Sequence, residues 1–591
     1  METTDSPFAN LNNVQGPLDR VKILQELERW KKLPPANVTP VILADLIGLH
    51  LGVNDEGGSS WGTRYGPWAT FVRGNTNIEV PSRDELAPEM VDVWEQRAHA
   101  ALHPVLRHRY ADLVWDLSQL VRGGRPSVEF ARLAIDAAIE GLRTRVLGRT
   151  VEAYNYADRA LDLATSINDP SRAESVERAL LEYERASARD SLAGTWGKSL
   201  DLILEGRSKL TEAEQTSVIG DMERRLERLA ALVPPELNPH NVEAAAIRLA
   251  KYFQKNRRDA DAARVVRVYA AAFRAASKAA QGMVATSWLE KVHAVLEQYG
   301  LKTDADALVP ELREHGKRSV AELTSYSTTA TFSEEQMAAF VNKLLAGDAD
   351  TALLRLTVHF VPDRDKSEKK VREIAKQAVL SSMASKKIID DDGRTIAVIG
   401  SVEDDIDGNV IQHISQNLRI SSIFLRFSLE EAIRRIPLNV QSMMERFRSS
   451  PVFEEDMLPL VEEGLRHYFD GHYAAAMHML TPQIEAAVRR LATLAGANIY
   501  KRNRNSKLLE LRLLHDLLLD EHVVGALTPN VALYLRILLV DQRGWNLRNE
   551  LCHGHLKAGY FTPALADRVL HALMLFFIRF EEKKSDAGTT D

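Results

Sequence analysis

The side chains best suited to acid–base chemistry lie together near the C-terminal end of the chain. Within the stretch Trp545–His555, Arg548 is followed directly by Asn549 and, five residues after the arginine, by His553. Asn549 and His553 are four residues apart, so one helical turn would place them on the same face. Gly554 comes next and can end such a turn. The stretch therefore predicts a short turn that presents a guanidinium, an amide and an imidazole.

These three side chains could cleave RNA without a metal ion. The substrate's own 2′-hydroxyl would attack the neighbouring phosphorus and leave a 2′,3′-cyclic phosphate and a 5′-hydroxyl. His553 can take or give a proton near neutral pH, which typically contributes about 10² to 10⁴ in rate. Arg548 offers a permanent cation for the charge that grows on the phosphoryl oxygens, and Asn549 could hold the phosphate or orient His553. Because the reaction needs the 2′-hydroxyl, DNA should not be a substrate.

The same residues also have a purely structural interpretation. Arg548 would then cap the preceding helix, Asn549 would start the next turn and His553 would be a half-buried histidine. An arginine with four to six residues between it and a histidine is a common pattern, and Arg97–His103 and Arg466–His472 also show it. The third occurrence differs by the asparagine after the arginine, the glycine after the histidine and its place between two predicted helices.

The pattern Arg548-Asn549-x-x-x-His553-Gly554 in a helical C-terminal domain resembles the HEPN superfamily (higher eukaryotes and prokaryotes nucleotide-binding). It resembles more closely a poorly characterised family of that kind, which includes endoplasmic-reticulum-associated RNA-degradation proteins. The resemblance covers about residues 455–584. It implies a metal-independent endoribonuclease in which Arg548, Asn549 and His553 are catalytic. It also implies a homodimer with a composite site, because HEPN motifs usually face each other, and His555 is the alternative second histidine.

A basic stretch upstream of the motif offers a candidate path for RNA, with an aromatic ring for base stacking. The candidate contact residues are Arg489, Arg490, Tyr500, Lys501, Arg502, Arg504 and Lys507. A solvated loop between helices would explain the same residues. Glu485 precedes Arg489 by four residues, and this pair either supports the site or is an ordinary surface ion pair.

The resemblance also suggests what the upstream part does. HEPN relatives often act in stress response or phage defence, and by that analogy the helical region would be a sensor or brake with a protein or phage ligand. Two alternatives stay open: a non-catalytic HEPN-type domain that binds RNA or nucleotide, and a helical scaffold. We expect no cofactor and no metal, because no acidic or histidine cluster has the spacing of metal ligands. The turn Glu403–Gly408 resembles half an EF-hand loop, but Ile414 stands where glutamate is needed.

The composition predicts a mainly helical chain of several domains. A chain of 591 residues is too long to fold around one hydrophobic core. Of its residues, 45% are hydrophobic and 27% are charged, and aromatic residues are few, which favours helices. The net charge of −7 gives no general basic field, so an RNA surface would have to be local. Cys552 is the only cysteine, which favours a reducing, cytoplasmic location. We expect no signal peptide and no membrane span.

Helical periodicity, polar breaks and one strand signal predict the domain organisation. Lys387–Ile399 predicts a β-hairpin around an acidic turn, and Thr528-Pro529 and Thr562-Pro563 predict two helix starts. Other helices of the C-terminal domain are expected over Leu458–Phe469, Tyr473–Leu494 and Lys507–Leu519.

These signals predict four domains and a tail. The first half should contain an N-terminal helical domain with a long polar loop at 52–62 (1–120) and an α-helical solenoid-like region or irregular bundle (121–325). A mixed α/β connecting segment (326–450), a five-helix HEPN-like domain (451–584) and a disordered tail (585–591) should follow.

Overall fold

The chain is mainly helical, as its composition predicts. A computed structural model describes residues 6–30, 32, 38–54, 58–73, 76–324, 332–503 and 508–577. Within these ranges the strands form only two-stranded antiparallel sheets. The chain divides into two compact units, residues 1–319 and 320–591. The tail expected at 585–591 lies outside the described residues.

The first unit is a series of helices that pack mainly against their neighbours in the sequence. One hydrophobic core runs from Phe8 to Leu202 and another from Leu181 to Leu308. Such neighbour-to-neighbour packing is that of a solenoid-like array. The helices are α1 (Pro7–Asn12), α2 (Arg20–Trp30), α3 (Pro40–His50), α4 (Pro88–Ala100), α5 (Pro104–Arg122), α6 (Val128–Thr144), α7 (Thr150–Ser166), α8 (Pro170–Ser187), α9 (Lys198–Leu204), α10 (Glu212–Ala230), α11 (Pro239–Lys255), α12 (Asp259–Ser277), α13 (Gly282–Gln298), α14 (Lys302–Asp306) and α15 (Val309–Glu322).

Two small hairpins interrupt this array. Strand β1 (Gly52–Val53) pairs with β2 (Tyr65–Gly66), and β3 (Ala69–Arg73) pairs with β4 (Thr76–Val80). Of the polar loop expected at 52–62, Gly52 and Val53 form β1, whereas the other described residues, 54 and 58–62, lie outside helices and strands, as expected. The carboxylate of Asp116 accepts the backbone N–H groups of Arg64 and Tyr65 at 3.2 and 2.9 Å. These bonds come from α5, so no local pattern at 52–66 could reveal them.

The second unit has one hydrophobic core, which runs from Val341 to Phe576. The domain boundary expected at residue 450 therefore falls inside a shared core. The helices are α16 (Glu334–Leu344), α17 (Ala349–His359), α18 (Arg364–Gln377), α19 (Val379–Met383), α20 (Ile406–Arg435), α21 (Val440–Arg448), α22 (Leu458–Phe469), α23 (Tyr473–Leu494), α24 (Leu514–Leu517), α25 (Glu521–Leu527), α26 (Pro529–Leu539), α27 (Leu547–Cys552) and α28 (Pro563–Met574).

The strand signal in the second unit was correct. Strand β5 (Lys386–Ile389) pairs with β6 (Thr395–Ile399), as the sequence predicts. The bounds of α22 and α23 also agree with the prediction. The helix expected over Lys507–Leu519 is absent from the described residues 508–519, apart from the single turn of α24. Instead β8 (Leu509–Leu511) pairs with β7 (Tyr500–Arg502), because apolar spacing over a few residues fits a strand as well as a helix.

The two predicted Thr-Pro helix starts differ in detail. Thr562 caps α28 through its hydroxyl, which accepts the N–H of Leu565 at 3.3 Å. Thr528 precedes α26 but its side chain makes no cap hydrogen bond, and its φ is 75° instead of the extended value usual at this position. The sequence predicts that the helix beginning at Pro529 ends near Gly544, but α26 ends five residues earlier, at Leu539.

Arg568 fixes the last helix to α20. Its side chain is completely buried. Its Nε donates to Ser422 Oγ at 2.9 Å, and its Nη2 donates to the carbonyl oxygen of Leu418 at 3.0 Å and to Ser421 Oγ at 2.5 Å. All three acceptors belong to α20, so the arginine joins α28 to that helix by directional bonds as well as by apolar contact.

Among the described residues, no single helix has both the length and the apolar composition of a membrane span. Helices α25 and α26 meet that test only as a pair, and the pair is bent by 106°.

Another buried polar residue of α28, His571, is held as a neutral imidazole. The carbonyl oxygen of Thr357 can only accept, so His571 Nε2 donates to it at 2.9 Å. His571 Nδ1 then accepts the hydroxyl of Tyr534, also at 2.9 Å. Burial lowers the pKa of His571 to about 3, and Arg568 acts in the same direction.

We predict that His571 makes the second unit less stable in acid. The folded pKa lies below the unfolded value, so between about pH 6.5 and pH 3 the unfolded chain takes up a proton that the folded chain excludes. Stability should therefore be complete above this range and fall as the pH decreases. Denaturant unfolding at a series of pH values should give a steeper dependence for the natural chain than for His571→Gln, by at most about 1.4 kcal/mol per pH unit. Equal slopes would contradict the prediction.

Candidate active site

Arg548 and Asn549 lie on the short helix α27, and His553 follows its last residue. A close approach of the backbone precedes this helix. A side chain at Gly544 would collide with the carbonyl oxygen of Ile537 in α26. That same carbonyl accepts the N–H of Trp545 at 2.8 Å. Asn546 then adopts a left-handed conformation with φ of 51°, which asparagine tolerates better than most residues. The chain thus reverses within a few residues and places the motif against the core.

Helix α27 ends at Cys552, and Gly554 closes the turn that follows it, as the sequence predicts. The φ of Gly554 is 70°, its N–H donates to Leu551 at 3.2 Å, and the N–H of His555 donates to Glu550 at 2.9 Å. These two bonds form a Schellman motif, in which glycine is favoured. His553 and His555 stand on either side of the glycine. Both are exposed, and their ring centroids are 6.0 Å apart.

The guanidinium of Arg548 is held by a carboxylate of α23. Its Nε donates to Glu485 Oε2 at 2.8 Å. The other oxygen, Oε1, accepts Nη2 of Arg489 at 2.6 Å. The side chain of Glu485 is only 13% exposed, against 31% for Arg548. Glu485 therefore does more than pair with Arg489 along its own helix, since it joins α23 directly to the motif.

Asn549 contacts the arginine rather than the histidine through its side chain. Its Oδ1 accepts Nη1 of Arg548 at 3.1 Å, and its Nδ2 donates to Asn546 Oδ1 at 2.7 Å. Its hydrogen bond with His553 joins backbone atoms only, from N–H to carbonyl at 3.0 Å. Asn549 is thus placed to position Arg548.

Glu550 is a site residue that sequence reasoning missed. Its Oε1 accepts Nδ2 of Asn546 at 3.1 Å, and its Oε2 lies 3.8 Å from His555 Nδ1. A continuous polar chain therefore leads from Arg548 through Asn549 and Asn546 to Glu550 and the second histidine. The signal available in the sequence was an acidic residue inside the motif, five positions before His555.

The predicted RNA-contact residues fall into different environments. Arg489 donates through Nη1 to the carbonyl oxygen of Arg512 at 2.7 Å, besides its bond to Glu485. Arg490 pairs with Glu454, and Lys501 lies within 4 Å of both Glu510 and Asp516. The remaining members are Tyr500, which is exposed on β7, Arg502 on the same strand, and Arg504 and Lys507, which lie outside the described residues. Carboxylates thus offset part of the positive charge of this stretch.

In the described part of the chain, no three side chains of His, Cys, Asp or Glu come together as a metal site would require.

Comparison with known families reaches only the first unit. A family described as a domain of unknown function (DUF7380) matches residues 41–175. This segment contains α3 to α7 and both small hairpins of the first unit, and it does not include the candidate site. No curated protein and no solved structure is significantly similar to the chain.

We predict that Glu485 and Arg548 are energetically coupled. The pair is partly buried and hydrogen-bonded, so removal of either partner leaves the other with a poorly compensated charge. Unfolding free energies of Glu485→Gln, Arg548→Gln and the double variant should give a coupling of about 1 kcal/mol or more.

The pair Glu462 and Arg466 on α22 provides the control, because its arginine is 59% exposed and the two residues lie one helical turn apart. The same cycle there should give less than about 0.5 kcal/mol, as is usual for surface pairs one helical turn apart. A coupling for Glu485 and Arg548 no larger than this control would contradict the prediction.

Proposed function

We propose that the chain is a metal-independent endoribonuclease of the HEPN type, cleaving RNA at the turn that carries Arg548 and His553. The observation that supports this proposal is a guanidinium that Glu485 and Asn549 hold in place, with two exposed imidazoles at the C-terminal end of the same short helix. Arg548 uses Nε and Nη1 to bind Glu485 and Asn549. Among the described contacts, its Nη2 donates to no protein acceptor, so this nitrogen is available for a phosphoryl oxygen.

The chemistry needs a base and an acid on opposite sides of one phosphate. The base takes the proton of the 2′-hydroxyl, the 2′-oxygen forms a bond to phosphorus, and the bond from phosphorus to the 5′-oxygen breaks. The acid donates a proton to that leaving oxygen, and Arg548 stabilises the charge on the phosphoryl oxygens. His553 supplies one of the two groups. The second is either His555 or His553 of a second copy, in the homodimer that the resemblance implies.

The rest of the chain would regulate this activity. The helical array of the first unit offers an extended surface of the kind that binds protein ligands. By analogy with HEPN proteins of stress response or phage defence, we propose that a protein or phage ligand acts there, and that the protein works in the cytoplasm. The alternative function is RNA or nucleotide binding without cleavage.

We predict that the purified full chain cleaves single-stranded RNA in the presence of EDTA. The products should carry 2′,3′-cyclic phosphate and 5′-hydroxyl ends, and DNA of the same sequence should stay intact. His553→Ala should lower the rate by about 10² to 10⁴ while RNA binding persists. Arg548→Ala should also lower it strongly, because the charge on the phosphate loses its partner.

His522 provides the control for removing an imidazole. It is exposed, lies in the same unit and has a carboxylate neighbour, Asp520. His522→Ala should cleave at the natural rate. Cleavage that EDTA abolishes would contradict the proposal. RNA binding without cleavage would favour the non-catalytic alternative, and no RNA retention at low salt would favour a scaffold.

A further inference from the structure

An acidic turn reaches the loop that follows the candidate site. The carboxylate of Asp391, at the tip of the β5–β6 hairpin, lies 2.5 Å from Nζ of Lys557, two residues after His555. The two side chains are 58% and 66% exposed. The base of the hairpin is fixed to α20, because Lys386 donates to Asn409 Oδ1 at 2.9 Å. The turn is therefore held beside the site by the fold, not only by its own ion pair.

The loop beyond His555 combines the two contacts that unpaired RNA needs. Lys557 supplies an ammonium for a phosphate, and Tyr560 follows three residues later, at the end of the short 3₁₀ helix Ala558–Tyr560. Tyr560 is 53% exposed, so its ring is accessible for base stacking. Lys501, in the basic stretch singled out from the sequence, lies close to two carboxylates, whereas Lys557 has one close carboxylate at a readily displaced surface position.

We propose that Lys557 and Tyr560 bind the RNA strand next to the cleavage site, and that Asp391 takes the place of an RNA phosphate on Lys557 when RNA is absent. The inference rests on the proposed function. A carboxylate and a phosphate are both oxyanions that accept from an ammonium group, and their like charges repel each other, so they compete for Lys557. An exposed ion pair contributes little stability, and a phosphate can displace it.

The exchange lowers the affinity for RNA whatever its sequence. A phosphate must displace Asp391 from Lys557 or bind against the repulsion of its carboxylate. Asp390 contributes less, because Arg394 pairs with it at 3.0 Å. The acidic turn thus acts as a built-in competitor of the substrate.

Binding of a labelled single-stranded RNA with 2′-O-methyl groups tests this proposal, because such RNA cannot be cleaved by 2′-hydroxyl attack. Lys557→Ala should weaken binding about fivefold at about 0.1 M salt and lower the salt slope by about 0.7, the value for one phosphate contact on a single strand. Tyr560→Ala should weaken binding about tenfold with an unchanged slope, since stacking releases no counterions.

The decisive variants are Asp391→Asn and its combination with Lys557→Ala. Asp391→Asn should bind the RNA about threefold more tightly, because the competitor is removed. The double variant should bind like Lys557→Ala alone, since without the ammonium the carboxylate has nothing to block. Glu373→Gln is the matched control, because Glu373 is 3.4 Å from Lys370 in an equally exposed pair of the same unit. It should bind like the natural chain.

The outcomes separate this inference from the proposed function. Unchanged or weaker binding by Asp391→Asn would overturn the competition, as would a double variant whose effects simply add. If Lys557→Ala and Tyr560→Ala both bind RNA as tightly as the natural chain, the inference is overturned and the proposed function still stands. A natural chain that retains no RNA at low salt would overturn both.

Discussion

The candidate site depends on one carboxylate. Glu485 accepts Arg489 with one oxygen and Arg548 with the other. Without it, two half-buried guanidinium groups would face each other with no compensating charge. A helix as short as α27 has little stability of its own. The position of Arg548 is therefore set by α23, which belongs to the core of the second unit. That dependence gives a surface turn the fixed geometry that a charge-stabilising group requires.

The neighbouring polar contacts extend this arrangement along the turn. Asn549 and Asn546 carry the hydrogen bonds from Arg548 to Glu550, which stands close to His555. The imidazoles themselves stay exposed, so a polynucleotide could reach them. The proposed chemistry depends on two groups of this stretch, a fixed cation and accessible proton carriers.

Local signals in the sequence sufficed where local forces decide the structure. Apolar periodicity predicts α22 and α23, and turn residues predict the β5–β6 hairpin. The conformation of Gly554 accounts for the turn that ends α27. The sequence was misleading or silent where distant partners decide. The strand β8 depends on pairing with β7, and the backbone at Tyr65 depends on Asp116 in α5. The bridge from Glu485 to Arg548 spans 63 positions, and no spacing rule connects them.

The hydrogen bonds from Arg568 to α20 limit where this chain can be divided. The three acceptors all come from residues 418–422, upstream of the helices that carry the motif. The carbonyl of Ser415 on the same helix also accepts the indole N–H of Trp545, next to the motif turn. A fragment starting near residue 451 would leave the buried guanidinium without these three acceptors and would remove the bond from Trp545 to Ser415, one of the contacts that hold the motif turn. The smallest piece that can be moved between proteins or expressed alone thus includes α20, well beyond the segment that the motif itself marks.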